Sequence, residues 1–99
     1  MNLYLIHQSS TNGYDTYDSA VVAAETEEEA QCIHPSGACY RGELNRDYWL
    51  EEKSDGSWRP TRYQDYSWAE KPSEVSAEFI GVAKEETQSG VICASFNAG

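Results

Sequence analysis

Apolar residues fall into short stretches separated by polar turns, and their spacing assigns most elements of the chain. Leu3-Tyr4-Leu5-Ile6-His7 is a compact apolar run that predicts a buried strand. Ser9-Ser10-Thr11-Asn12-Gly13 reads as a loop, with Asn-Gly its strongest turn signal. Ser19–Ala24 is rich in Val and small residues and does not alternate. That predicts a central strand buried on both faces. Val75, Ala77, Phe79, Gly81 and Ala83 alternate with Ser76, Glu78, Ile80 and Val82, which predicts a strand whose second half is buried on both sides. A polar turn over Glu85–Gly90 leads into a last strand, Val91–Phe96.

Between these strands lie one helix and one hairpin. Thr26 can cap a helix, and Glu29 stands at the capping-box position three residues later. Three glutamates in the first turn suit the positive end of the helix dipole. Ala30 and Ile33 would face the core, and Pro35 and Gly37 end the helix after barely two turns. Further on, Asp47–Glu52 and Ser57–Arg62 flank Lys53-Ser54-Asp55-Gly56, a hairpin signal. The order predicts an α+β fold: a small, mainly antiparallel sheet with one short helix on one face and an aromatic β-hairpin excursion. A single domain over 1–99 is expected, with its core in 1–37 and 75–99 and the hairpin inserted at 40–68.

Composition sharpens this picture in two ways. Seven of the twelve aromatic residues fall between 40 and 68, which makes the middle of the chain the richest in large rings. Charge is also uneven. The first forty residues hold six acids and no Lys or Arg, whereas residues 41–62 balance five bases against five acids. The net charge of −10 opposes direct binding to nucleic acid or anionic membrane and favours a partner with a basic surface. No apolar run approaches the roughly 20 residues that span a bilayer. Residues 2–6 are too short and lack the basic start of a leader. Three cysteines, an odd number, argue against a complete disulfide framework, so reduced thiols in a cytoplasm are expected.

Catalytic chemistry finds little purchase. His7 and His34 are the only histidines, and neither a Gly-x-Ser-x-Gly elbow nor a phosphate loop occurs. Cys32, His34 and Cys39, with His7 or Cys93, lack the paired spacing of a structural zinc site. They read instead as small buried thiols and a helix-terminal His, so neither metal nor cofactor is expected. Asp15 and Asp18, with Glu25, are carboxylates near a turn, where Asp commonly binds backbone N–H groups. Trp49, Trp58, Tyr63, Tyr66 and Trp68, with Arg41, Arg46, Arg59 and Arg62, could stack on bases and contact phosphates. The same residue types dominate protein–protein hot spots, and the charge favours that use. Filling a small core is an equal alternative for several of these rings.

The words Gly13-Tyr14-Asp15-Thr16-Tyr17-Asp18-Ser19-Ala20-Val21-Val22-Ala23-Ala24, Glu27-Glu28-Glu29-Ala30 and Ile33-His34-Pro35 resemble a family of small bacteriophage and prophage proteins. Phe79-Ile80-Gly81-Val82-Ala83 and Gly90-Val91-Ile92-Cys93-Ala94-Ser95-Phe96-Asn97-Ala98-Gly99 are similar to the same family. The resemblance covers roughly 1–37 and 75–99 and brings no catalytic residue with it. It implies a phage accessory protein in the cytoplasm of a bacterial host, of a kind that resembles anti-defence and anti-CRISPR inhibitors. The resulting expectation is a non-enzymatic acidic protein that binds and inhibits a host protein with a basic surface, such as a nucleic-acid-handling defence complex. Tyr14, Asp15, Tyr17, Asp18, Trp49, Trp58, Arg59 and Arg62 are its candidate partner-binding residues. Two alternatives stand beside it: a small-molecule or nucleotide binder or enzyme built on Tyr14–Asp18 and Ser95-Phe96-Asn97, and a minor virion component.

Overall fold

The computed structural model describes residues 1–9, 13–37, 47–60 and 67–97. Its elements follow in the order β1 (Asn2–His7), β2 (Thr16–Ala24), α1 (Glu27–Gln31), β3 (Leu50–Glu52), β4 (Trp58–Pro60), a 3-10 turn (Pro72–Glu74), β5 (Ser76–Val82) and β6 (Gly90–Asn97). The fold is mostly antiparallel sheet with one short helix, compatible with a small α+β class. The main sheet has the order β5-β1-β2-β6, and β3 pairs with β4 in a separate two-stranded sheet.

The alternation along β1 and β2 sets the core. Tyr4 stands opposite Val22 and Ile6 opposite Ala20, so these four side chains share a face. Helix α1 packs across β5, β1 and β2, bringing Ala30 and Ile33 onto that face. Trp49, Trp68, Ala69 and Val75 complete the cluster. The other face carries Leu3, Leu5, Val21 and Cys93, which the register places side by side. Val22, Ala23 and Ala24 are all fully buried, as a central position requires.

β5 departs from its expected burial. Phe79, Ile80 and Val82 are 56%, 48% and 73% exposed. The alternation is that of a strand, but β5 lies at the sheet edge, and its register shifts opposite Leu3 and Tyr4. An edge strand has a neighbour on one side only, so its apolar side chains keep contact with water. Phe79 nevertheless meets the buried Tyr4 ring edge-on at 6.0 Å.

α1 is five residues long and starts as its sequence predicts. Thr26 has extended backbone, and its hydroxyl accepts from the Glu29 N–H at 3.1 Å. The reciprocal contact differs from a standard capping box: the Glu29 carboxylate accepts from the N–H of Glu25, one residue before the cap, at 3.2 Å. Gln31 then ties the helix to the start of β5 by donating to the Val75 carbonyl at 2.8 Å. Thr26→Ala is expected to cost about 1 kcal/mol, with Thr26→Ser recovering most of it, as read from urea midpoints.

The β3–β4 ladder turns over Lys53–Ser57. Gly56 has φ 88°, a conformation that suits glycine. Ser57 donates to the Asp55 carboxylate from its hydroxyl and its backbone N–H at 2.6 and 2.9 Å. These bonds hold that carboxyl below its ordinary range. Arg59 donates to Glu51 across the ladder at 2.8 Å. Of the expected aromatic excursion, Trp58 is the only ring on either strand, and Trp49, just before β3, belongs to the core. Tyr40, Arg41, Arg46, Arg62, Tyr63 and Tyr66 lie outside the described residues, as do Asn12 and Cys39.

Candidate functional site

Gly13–Asp18, which begins at the end of the loop predicted over Ser9–Gly13, divides into a tight turn and the first three residues of β2. Gly13 has φ 120° and Asp15 φ 58°, both in the left-handed region. Asp is one of the few non-glycine residues found there with any frequency. Asp18 is absorbed into the strand by a register shift: Tyr17 pairs with Phe96 and Ser19 with Ser95, leaving Asp18 as the extra residue of a bulge. A carboxylate in a strand is thus accommodated by re-aiming it toward water.

The turn is fastened to the end of β6. The Gly13 carbonyl accepts from the Thr16 hydroxyl at 2.8 Å and from the Asn97 side-chain amide at 2.6 Å. The Asp15 N–H donates to the Asn97 carbonyl at 2.6 Å. Tyr17 is held from three sides. Its N–H donates to the Ser67 carbonyl at 2.7 Å, its carbonyl accepts from Gln8 at 3.4 Å, and its ring lies 4.8 Å from that of Phe96. His34 approaches the same ring edge-on, and Trp49 packs edge-on against His34. A chain of four rings therefore runs from the half-exposed Phe96 to the core.

Tyr14 is the consequence. It is 78% exposed on a turn whose backbone is bonded on both sides, with Asp15 next to it and Asp18 on the adjoining strand. The structure gathers Tyr14, Asp15, Tyr17 and Asp18 at one end of the sheet and adds Phe96. In the sequence, Phe96 enters only the small-molecule alternative. Trp58 and Arg59 stand on the separate sheet, half-buried. Trp49 is buried, and its indole N–H donates to the Ala69 carbonyl at 2.8 Å. That bond satisfies the polar end of the ring within the core, where Trp49 supplies volume.

The described cysteines, Cys32 and Cys93, lie on different elements. Cys32 caps the C-terminus of α1, and Cys93 is exposed on β6. His34 is buried, and its Nδ1 accepts from the Ser36 N–H at 3.1 Å. Among the described residues no three His, Cys, Asp or Glu side chains gather as metal ligands would, and no helix is long and apolar enough to cross a membrane. No protein family, no curated protein and no solved structure matches this chain.

Proposed function

We propose that this chain is a non-enzymatic protein-binding module that engages a basic protein surface through the Tyr14–Asp18 end of its sheet. The supporting observation is Tyr14, a large ring kept in water on a turn that hydrogen bonds already order. Burying an ordered ring against a partner gains apolar contact without a large ordering cost. Asp15 and Asp18 flank it, and the chain as a whole carries −10, so encounter with a cationic surface is accelerated. The words Gly13–Ala24 and Gly90–Gly99 resemble phage accessory proteins, which implies a bacterial host protein as the partner. A nucleic-acid-handling defence complex, with its basic groove, is the matching class of target for inhibition. The small-molecule alternative places its ligand between the turn and the end of β6, but the direct bonds between Gly13, Asp15 and Asn97 already join these segments.

The two parts of the surface make separable contributions. Capture from bacterial lysate is expected to retain a basic protein that elutes with salt. Asp15→Asn combined with Asp18→Lys is expected to slow its association several-fold while leaving dissociation nearly unchanged. Asn is the appropriate replacement at Asp15 because it tolerates the positive φ, whereas Lys would add backbone strain. Tyr14→Ala is expected to act on dissociation and to weaken the complex by about 2 kcal/mol, roughly 30-fold. Retention of the same proteins, with unchanged kinetics, by both variants would remove this assignment.

A further inference from the structure

The far side of β6 meets no described strand, so Gly90–Asn97 is an edge. Natural edges are guarded by charge, by Pro, by a bulge or by being kept short, and β6 has one of these, a bulge at Ile92 between the Cys93–Val21 and Val91–Val22 pairs. β5, the opposite edge, carries Glu78 in mid-strand. β6 is eight residues long, has no charged residue and no Pro, and leaves Ile92 and Phe96 about half exposed. In a chain where a quarter of the residues are charged, an uncharged edge of that length stands out as a template for strand addition.

Charge decides what can be added. At the Asn97 end of this edge lie Asp15 and Asp18. At the Gly90 end, the turn that precedes β6 carries Glu85 and Glu86 against a single cation, Lys84, all exposed. A second copy added antiparallel would bring the aspartates of each chain toward the glutamates of the other. Added parallel, it would set each acid toward its own counterpart. Both arrangements oppose like charges at both ends. An extended segment with an uncharged centre and cationic ends meets no such opposition. A strand added beyond β6 would lie two strand spacings, about 9.6 Å, from β2, a gap that a Lys or Arg side chain can span toward Asp18.

We propose that β6 accepts an extended, basic-ended segment of the partner protein as a fifth strand of the main sheet, with the Tyr14 turn beside it as the anchor. This rests on the protein-binding reading above and adds the mode of recognition. Main-chain hydrogen bonds along β6 supply affinity, Ile92 and Phe96 select apolar side chains, and the acids at both ends select the cations.

The test uses the whole chain and a library of ten-residue synthetic peptides with Lys or Arg at both ends and uncharged β-branched residues between. Binders are expected whose affinity falls at least about tenfold on N-methylation of alternate backbone amides, which removes ladder donors. Ile92→Lys and Ser95→Lys, both at exposed positions, are expected to give the same loss with an unchanged circular dichroism spectrum. A library without binders would overturn strand addition. So would binders indifferent to N-methylation and to both edge variants. If such binders still respond to Asp15→Asn with Asp18→Lys, the acidic-turn reading stands without strand addition. If they ignore that variant too, both readings fall. A dimer in sedimentation at physiological salt that Ile92→Lys dissociates would assign the edge to a second copy and overturn the proposal.

Discussion

Trp68→Ala is expected to lower the stability of the fold by about 3–5 kcal/mol, a large fraction of the roughly 5–15 kcal/mol available to a domain of this size. Trp68 is the largest fully buried side chain among the described residues. It packs with Ile6, Val22 and Ile33, so its removal opens a cavity where the sheet, the helix and the central segment meet. Trp68 also carries a cost. Its indole N–H is buried and has no hydrogen-bond partner among the described residues. An unpaired buried donor costs about 1–3 kcal/mol, whereas the equivalent donor of Trp49 is satisfied by Ala69. Trp68→Phe removes that donor along with part of the ring. Its loss is therefore expected to be less than half that of Trp68→Ala. Urea denaturation of both variants and the parent checks this. Equal losses would mean that ring volume alone governs the site.

The second large effect lies at the centre of the sheet. Val22 is fully buried on the middle strand, opposite Tyr4 on one side and Val91 on the other. Val22→Glu places a carboxyl where its charged form is strongly disfavoured, so the group is held protonated and its pKa rises in the folded state. In the unfolded chain it titrates near the ordinary value of about 4.3. Between those two values the folded state binds more protons than the unfolded one, so stability falls as pH rises. The expected slope is about −1.4 kcal/mol per pH unit from near pH 5 up to the raised pKa. Val22→Gln has the same size and no titration. It is expected to be destabilised with no extra pH dependence over that range. Stability curves at pH 5, 6 and 7 for the two variants check the difference. Parallel curves would show that water reaches residue 22.

What the sequence made legible was local. The apolar runs located β1 and β2, and the capping residue located the start of α1, because side-chain periodicity and Thr26 act within a few residues. Burial of β5 was not legible, since alternation reports the backbone period and not the number of neighbouring strands. The start of β2 at Thr16 was hidden for a related reason. Asp18 reads as a loop residue, and only the bulge opposite Ser95 and Phe96 admits it to a strand. The split role of the tryptophans depended on acceptors distant in the chain. Trp49 is fixed in the core by a carbonyl twenty residues away. The candidate site was half legible. Tyr14, Asp15 and Asp18 stood out by their setting, but Phe96 and Asn97 join them across most of the chain, with no periodic signal between.

The sheet order also governs how the chain comes together during synthesis. β1 and β2 leave the ribosome before β5 and β6, yet they are the two middle strands of the main sheet. As they emerge they can pair with each other, but both outer sides of that hairpin remain open until β5 and β6 follow. For that interval the nascent chain is a two-stranded ribbon with apolar faces and unpaired amides. Its charged side chains are all acidic: Asp15, Asp18, and the glutamates at and before α1. Like charge on two such ribbons opposes their pairing with one another. The acidity of the first forty residues thus acts against edge-to-edge pairing before the outer strands are in place.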